Sequence, residues 1–377
     1  MAEPTSDLSH PFVKVGKWRC LVHFEQNAFR LLYYLLFKTK PLALGVYSRS
    51  WKRNLKGVVK AFAYSLELFI KQVKARFSSF TPTFIYLSVR GHVGLSGHDS
   101  VAIFDLETNE VIKVFSEHAT LYFQHELAKH AEAEGLGLSE PLLAINSEHL
   151  WYKKRYINGK PLRTKGWTEF KKVYNHSLLP LLCHLLKSGQ PQQASATYKE
   201  ALLRGAKESL AKLKEQAPEQ NLRDVRGFVD ALSKRLDKSF RPYLVSSHGD
   251  FQGANILDSD ELILIDWETL DKRSALYDLF YLFSEELFSG RSFAAETTYP
   301  ESLREAVMKG VSQLRQGLAD TKHITDYLEL YFDFFRLERI AHELSFRLLL
   351  NQPSAKIVDS LNKLITVFEK YENALFD

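Results

Sequence analysis

The sequence predicts an α/β chain of the mixed (α+β) kind, with a basic helical head, a strand-rich middle and a long, mainly helical remainder. Three observations support this. The 377 residues are 45% apolar and 25% charged, the profile of a chain that buries a sizeable core and not of a disordered or fibrous one. The hydrophobic period changes twice, from helical spacing to short β-branched and aromatic runs near residue 84, and back near residue 158. Glycine and turn residues separate those runs, at Gly91–Gly97 and Glu107–Glu110. The expected divisions are a head over residues 1–80, a β-rich segment over 81–157 and a helical segment over 158–377.

Residues 1–80 carry 14 Lys and Arg against 4 Asp and Glu, a balance of +10, while the remainder carries 36 against 41, or −5. A basic head on a slightly acidic body suits an anionic partner. Residues 49–76 read as one helix. At about 100° per residue, Arg49, Lys52, Arg53, Lys56 and Lys60 share one arc, and Trp51, Leu55, Val58, Val59, Phe62, Leu66, Phe69, Ile70 and Val73 fill its neighbour. Such a helix either lies on an anionic membrane surface or packs on the body with its lysines in water. Trp18, Phe24, Phe29, Tyr33 and Tyr34 interleave with basic residues, but no nucleic-acid motif accompanies them, and nucleic acid is not an expected partner.

The longest nearly uncharged apolar run, Leu31–Phe37, is too short to span a bilayer. The opening MAEPTSDLSHP lacks the basic and apolar regions of a secretory signal. Cys20 and Cys183 belong to no Cys/His cluster, so neither a disulfide framework nor a structural zinc is expected and a reducing compartment fits. The expected location is the cytoplasm, peripheral at the inner membrane face if the head meets lipid.

In the middle segment, Phe84–Val89, Val101–Phe104 and Val111–Phe115 read as strands. A helix is predicted from about Ala119 to Glu134, with Gly135 at its C-cap. A hairpin over Leu142–Ile145 and Leu150–Tyr156 follows.

The chemistry is concentrated in Ser247-His248-Gly249-Asp250-Phe251-Gln252-Gly253-Ala254-Asn255-Ile256-Leu257 and in Leu262-Ile263-Leu264-Ile265-Asp266-Trp267-Glu268. Two apolar runs flank the turn Asp258-Ser259-Asp260-Glu261, which reads as a hairpin. If Leu257 pairs with Leu262, Asn255 stands opposite Leu264 and Asp266 overshoots by two residues, about 7 Å. Asp250, Asn255 and Asp266 then converge at one end of a small sheet. Carboxylate and amide oxygens suit Mg²⁺, which takes one or two carboxylates with phosphate oxygens and water.

These residues resemble the aminoglycoside phosphotransferase and choline kinase-like family, a branch of the protein-kinase-like fold. There a His-x-Asp-x-x-x-x-Asn loop precedes an Ile-Asp-[Trp/Phe]-[Glu/Asp] strand end, as His248, Asp250, Asn255 and Ile265–Glu268 do here. The resemblance covers roughly residues 85–370. It implies a bilobal protein-kinase-like fold behind the added helical head, with ATP and Mg²⁺ as cofactors. Asp250 would orient the substrate hydroxyl or accept its proton, and Asn255 and Asp266 would hold the metal. Gly94 and Gly97 sit where the nucleotide loop belongs, although Gly91, Gly94 and Gly97 form no GxGxxG. Lys113 matches the strand lysine of the α/β-phosphates and Glu126 its helix partner. Lys154 and Tyr156 fall in the segment matching the adenine-binding hinge, and Asp278 matches an aspartate bracing the catalytic loop. Gln252 replaces the family's more usual histidine.

The implied activity is ATP- and Mg²⁺-dependent phosphorylation of a hydroxyl on a small molecule or glycan. A sugar or lipid-linked glycan at the cytoplasmic membrane face would give the basic head a purpose. The alternative is a pseudokinase or protein-kinase-like regulator recruited through that head. Against it stand the retained Lys113, Glu126, Asp250, Asn255 and Asp266, and the lack of an activation segment ending in Ala-Pro-Glu.

Overall fold

Short runs of β-branched and aromatic residues build one eight-stranded sheet. In chain order its members are β1 (His10–Val15), β2 (Cys20–His23), β3 (Phe84–Leu87), β4 (Val93–Ser96), β5 (Ser100–Asp105), β6 (Glu110–Phe115), β7 (Ala144–Asn146) and β8 (Trp151–Arg155). In space they run β3-β1-β2-β4-β5-β6-β8-β7, with antiparallel registers. The computed structural model describes residues 10–15, 20–37, 51–78, 84–87, 93–96, 99–162, 167–188, 190–214, 219–236, 239–288, 299–318, 320, 322–349 and 352–376. They divide into two units, one taking in Met1–Ala131, Glu140–Lys165 and Leu257–Ile263, the other Glu132–Ser139, Gly166–Ile256 and Leu264–Asp377.

The head is therefore not a wholly helical extension over residues 1–80. Its β1 and β2 lie inside the sheet of the first unit, between β3 and β4. Successive side chains of a strand point to opposite faces, and β1 uses both. Phe12 packs with Leu21, Ile103, Ile112 and Val114. Val13 packs with Val22, Leu31, Leu35, Ala61, Tyr64 and Leu68, joining the sheet to α1 (Ala28–Phe37) and α2 (Trp51–Phe77). Because both of these neighbours are buried, β1 shows no polar–apolar alternation.

The helix predicted over 49–76 is α2, and it packs on the sheet through a face of small and aromatic residues. Ala61, Tyr64, Ser65 and Leu68 are buried. Lys71 Nζ donates to the Lys14 carbonyl at 2.6 Å, and Gln72 Nε2 to the carbonyls of Phe24 and Gln26 at 2.5 and 2.9 Å. The apolar arc seen on the wheel is not this face: Val59, Phe62, Leu66, Phe69, Ile70 and Val73 stay exposed.

The helix predicted to end at Gly135 is α3 (Thr120–Gly135), but its capping glycine lies two residues further. Gly137 has φ +70°, and the Gly137 and Leu138 amides donate to the carbonyls of Glu134 and Ala133, both at 2.9 Å. Glycine takes the left-handed position at a helix end because it has no Cβ to clash.

A second small sheet runs β13-β12-β9, where β9 is Lys160–Pro161, β12 is Ile256–Asp258 and β13 is Leu262–Leu264. The other unit is mainly helical: α4 (Trp167–Val173), α5 (Leu179–Ser188), α6 (Tyr198–Lys214), α7 (Glu219–Arg235), α8 (Tyr277–Phe288), α9 (Tyr299–Leu314), α10 (His323–Asp326), α11 (Leu328–Leu349) and α12 (Ser354–Phe376). It also holds the three-stranded sheet β10-β11-β14, formed by Gln192–Gln193, Tyr243–Ser247 and Asp271–Ser274. Helix α11 is its central post, buried from Tyr331 to Ile340. Fully buried Arg336 pairs with Asp333 and with Glu372 at 2.6 Å, and Arg235 adds bonds to Asp333 and Glu372 at 3.1 and 2.8 Å, tying α7, α11 and α12 by charge.

The Glu338 carboxylate on α11 accepts the Ser274 amide at 2.8 Å, the Ser274 hydroxyl at 2.7 Å and the Tyr198 hydroxyl at 2.5 Å. Burial pushes its carboxyl up to about 7, against the pull of those donors and of Arg273. A carboxyl raised on folding stabilises the fold while protonated, and that contribution is lost as pH rises from its unfolded value through about 7. Glu338→Gln should therefore match the wild type in denaturation at pH 4 and exceed it at pH 8, by roughly 3 kcal/mol at most. Equal stabilities at both pH values would show that the carboxylate ionises there without cost.

Candidate active site

Asp278, in the first turn of α8, holds the segment that follows β11. Its carboxylate accepts the Ser247 hydroxyl at 2.9 Å, the His248 amide at 2.8 Å and the Gly249 amide at 3.0 Å. Burial pushes this carboxyl up, while His248 and the three donors pull it back. Gly249 turns the chain at φ +80°, and a Cβ there would collide with the Thr269 carbonyl oxygen and the Arg273 guanidinium. Arg273 Nη1 donates to that carbonyl at 2.8 Å, and the Thr269 hydroxyl to the His248 carbonyl at 2.7 Å.

Both His248 ring nitrogens are committed. Nε2 donates to the Ile265 carbonyl at 2.9 Å, and Nδ1 accepts the Asp250 amide at 3.3 Å. With its ring 4.6 Å from that of Trp267, the imidazole braces the loop against the strand end.

Asp250 is thereby presented with its carboxylate oriented from three sides. Oδ1 accepts Gln252 Nε2 at 2.8 Å and the Tyr281 hydroxyl, and Oδ2 accepts Asn255 Nδ2 at 2.7 Å. Asn255 Nδ2 also donates to the Asp250 carbonyl at 3.1 Å. Gln252 thus supplies a donor to the Asp250 carboxylate.

The hairpin register differs by one residue from the sequence expectation. The Ile265 amide donates to the Asn255 carbonyl at 3.0 Å, so Asn255 stands opposite Ile265 and not Leu264. The turn is tight, with the Ser259 amide on the Glu261 carbonyl at 3.2 Å. Asp266 then lies one residue beyond Asn255, about 3.4 Å along the strand. It takes φ +64° and ψ +65° and caps the short 3-10 turn Trp267–Thr269. A non-glycine residue in this region costs of order 1 kcal/mol and is held there by its surroundings.

The donor set fits a hard cation. The Asn255 amide nitrogen is spent on Asp250, which leaves its oxygen as the coordinating atom, and Asp266 adds an exposed carboxylate. Among the described residues no group of three or more His, Cys, Asp or Glu could hold a metal; one or two protein ligands with phosphate oxygens and water are the usual set for Mg²⁺.

In the other unit, Lys113 on β6 and Glu126 on α3 form a bidentate pair, with Nζ 2.7 Å from each carboxylate oxygen. Glu126 is only 5% exposed and also accepts the Tyr152 hydroxyl. Lys113 Nζ lies 5.4 and 5.7 Å from the ring centres of Phe115 and Tyr122. Gly94 lies within β4, opposite Leu21 of β2 and Ile103 of β5; Gly97 lies outside the described residues. Lys154 pairs with Val111 across β6 and β8. Tyr156 is buried against Phe104, and its amide donates to the Asn109 carbonyl at 2.8 Å, so that N–H is not open to a base edge.

A model described as the phosphotransferase enzyme family matches residues 104–319. The chain belongs to this family. Among solved structures, choline kinase LicA from Streptococcus pneumoniae is similar at 19% identity over 80% of this chain and 99% of that one, with a TM-score of 0.52. Ethanolamine kinase from Plasmodium vivax matches at 13% identity over 81% and 88% of the two chains, with a TM-score of 0.50. LicA in complex with AMP matches at 19% identity over 80% and 98%, with a TM-score of 0.51. These likenesses show the protein-kinase-like fold. No match was found among curated proteins. The family match takes in Lys113, Glu126, Asp250, Asn255, Asp266 and Asp278 together, and its members are phosphotransferases.

Sequence reasoning missed two phenols in this phosphotransferase. Tyr281 stands three residues after Asp278 on one face of α8, the helical spacing that places both at the loop. Burial raises its hydroxyl well above the ordinary value, against Arg339, whose guanidinium lies 4.3 Å from its ring. The phenol is therefore a donor to Asp250. Arg339 is held in turn by Glu285 at 3.1 Å and Glu343 at 3.4 Å. Tyr152 is the direct cross-strand partner of Lys113, and the strand register alone would have pointed to it.

Gly249→Ala should break the loop. The new Cβ meets backbone at a positive φ, so the variant should lose phosphotransferase activity and unfold at lower denaturant. Unchanged activity and stability would mean that the loop does not need this conformation.

Proposed function

We propose that the chain transfers the γ-phosphoryl group of ATP to a hydroxyl of a small molecule or glycan. The observation that carries this reading is the Asp250 carboxylate, oriented by Gln252, Asn255 and Tyr281 on a loop anchored by Asp278. Phosphoryl transfer asks little covalent chemistry of a protein, and positioning with charge neutralisation does most of it. Asp250 aligns the acceptor hydroxyl and takes up its proton as the oxygen–phosphorus bond forms. Lys113, steadied by Glu126, binds the α/β-phosphates, with Gly94, on β4, and Gly97 over them and Lys154 and Tyr156 in the segment beside the base. Asn255 and Asp266 hold Mg²⁺, which when bound neutralises phosphate charge. A regulatory, non-catalytic chain would leave the Lys113–Glu126 pair and the Asp250 network without use.

The acceptor we favour is a sugar or lipid-linked glycan at the cytoplasmic membrane face. Acceptor-dependent ADP release, screened over amino alcohols, sugars, glycolipids and peptides, tests the reading; release with none of the hydroxyl acceptors, or with peptides only, would overturn it.

Asp250→Asn should lower turnover about a hundredfold or more and leave nucleotide affinity intact, whereas Asp266→Ala should lose both turnover and Mg²⁺-dependent nucleotide affinity. Wild-type turnover in Asp250→Asn would remove the base from the mechanism.

Lys113→Ala should weaken nucleotide binding, and Glu126→Ala should do so less, since the lysine supplies the charge and the glutamate only its position. Calorimetric titration with a non-hydrolysable ATP analogue gives both; equal affinity in wild type and Lys113→Ala would take the lysine out of the site.

A further inference from the structure

We infer that the outward face of α2 is an interfacial docking surface for an anionic lipid bilayer. The inference rests on the membrane-face part of the proposed function for its purpose, and on α2 alone for its argument. Helix α2 has three faces. One, through Ala61, Tyr64, Ser65 and Leu68, is buried on the sheet. The second carries seven large apolar side chains in the open: Val59, Phe62, Leu66, Phe69, Ile70, Val73 and Phe77, from 37% to 83% exposed. They fill one arc of roughly 100° on the wheel, and from residue 59 to 77 they extend about 27 Å at ~1.5 Å per residue.

The third face says what covers the second. Exposed Lys60 and Lys74 border the apolar arc on one side and Arg76 borders it on the other. The helix carries seven Lys and Arg against a single acid, Glu67, and that acid is bonded to Lys71 at 2.9 Å. An apolar stripe flanked by cations is complementary to a surface that is apolar within and anionic at its rim, as an acidic bilayer is. Pairing two copies through the same stripe would instead bring two cationic rows together. No described helix is long and apolar enough to cross a membrane, so α2 would lie in the interface. The buried face holds α2 to the sheet meanwhile, and docking does not require it to detach.

The full-length protein should float with vesicles of phosphatidylglycerol and phosphatidylcholine in equal parts at low salt, and stay behind with phosphatidylcholine alone. Phe62→Ser with Phe69→Ser removes exposed side chains only, and should lower partitioning at least about tenfold. Reversing Lys60, Lys74 and Arg76 to Glu should lower it about a hundredfold, at roughly fivefold per cation. Raising salt toward 1 M, where the Debye length is about 3 Å, should release the wild type. Circular dichroism and nucleotide binding of each variant check that the fold persists. None of these residues belongs to the catalytic set, so loss of flotation with retained turnover on a soluble acceptor separates this surface from the kinase reading. Failure of the wild type to float on anionic vesicles at low salt would overturn the inference. So would flotation that both variants retain, or a dimer in sedimentation that the phenylalanine variant abolishes while vesicles bind neither protein.

Discussion

A buried carboxylate that accepts three donors from consecutive residues leaves a loop very little freedom. Asp278 does this for Ser247, His248 and Gly249, and every group placed for chemistry in that unit follows from it. Once Gly249 is turned and His248 is fixed, the His248 ring spans from the Asp250 amide to the Ile265 carbonyl. The two segments that carry Asp250 and Asp266 are thus set against one another before any substrate arrives. Unfilled donors at that depth would each cost about 1–3 kcal/mol, so the carboxylate is as necessary to the fold as to the site.

The unit with the eight-stranded sheet uses the same device. Glu126 is nearly sealed from solvent, and Lys113 and Tyr152 both address it. A lysine ammonium on four methylene groups has many rotamers; two equal bonds to one carboxylate reduce them to one. Stiffness is borrowed from the sheet, since Lys113 and Tyr152 are register partners on neighbouring strands. In both halves a buried acid aims a side chain that would otherwise wander.

Much of this is legible in the sequence. The spacing of His248, Asp250, Asn255 and Asp266 is local in sequence, and the hairpin between them makes it local in space, so pattern alone brought them together. The register slipped by one because a turn of Asp258–Glu261 composition allows more than one closure, and the Ser259–Glu261 bond that selects the tight one is not a matter of composition. In the sequence Tyr281 reads as core, a tyrosine on an apolar helix face, and only the path of the distant loop shows what its hydroxyl meets. The strands of the head are not legible in the sequence because β1 buries both Phe12 and Val13, which erases the alternation by which a strand is recognised. For α2 the wheel separated apolar from basic arcs correctly but could not say which arc the protein keeps for itself. The buried face, with Ala61, Tyr64, Ser65 and Leu68, looks less hydrophobic than the arc left exposed.

The place of β1 and β2 has a consequence for how the chain comes to be folded. They stand between β3 and β4, which in sequence are separated by only residues 88–92. Crossing three strand spacings takes about 14 Å, and the six peptide links from residue 87 to 93 reach at most about 20 Å. The link is thus long enough for the observed order, and equally long enough for β3 and β4 to close directly as a hairpin. Two topologies compete for the same edges, and the direct one has the smaller loop to close. On the ribosome the amino-terminal pair emerges first, which favours its entry. In refolding from denaturant all four strands start together, and the sheet can form without its first two members, leaving them with unpaired edges of their own.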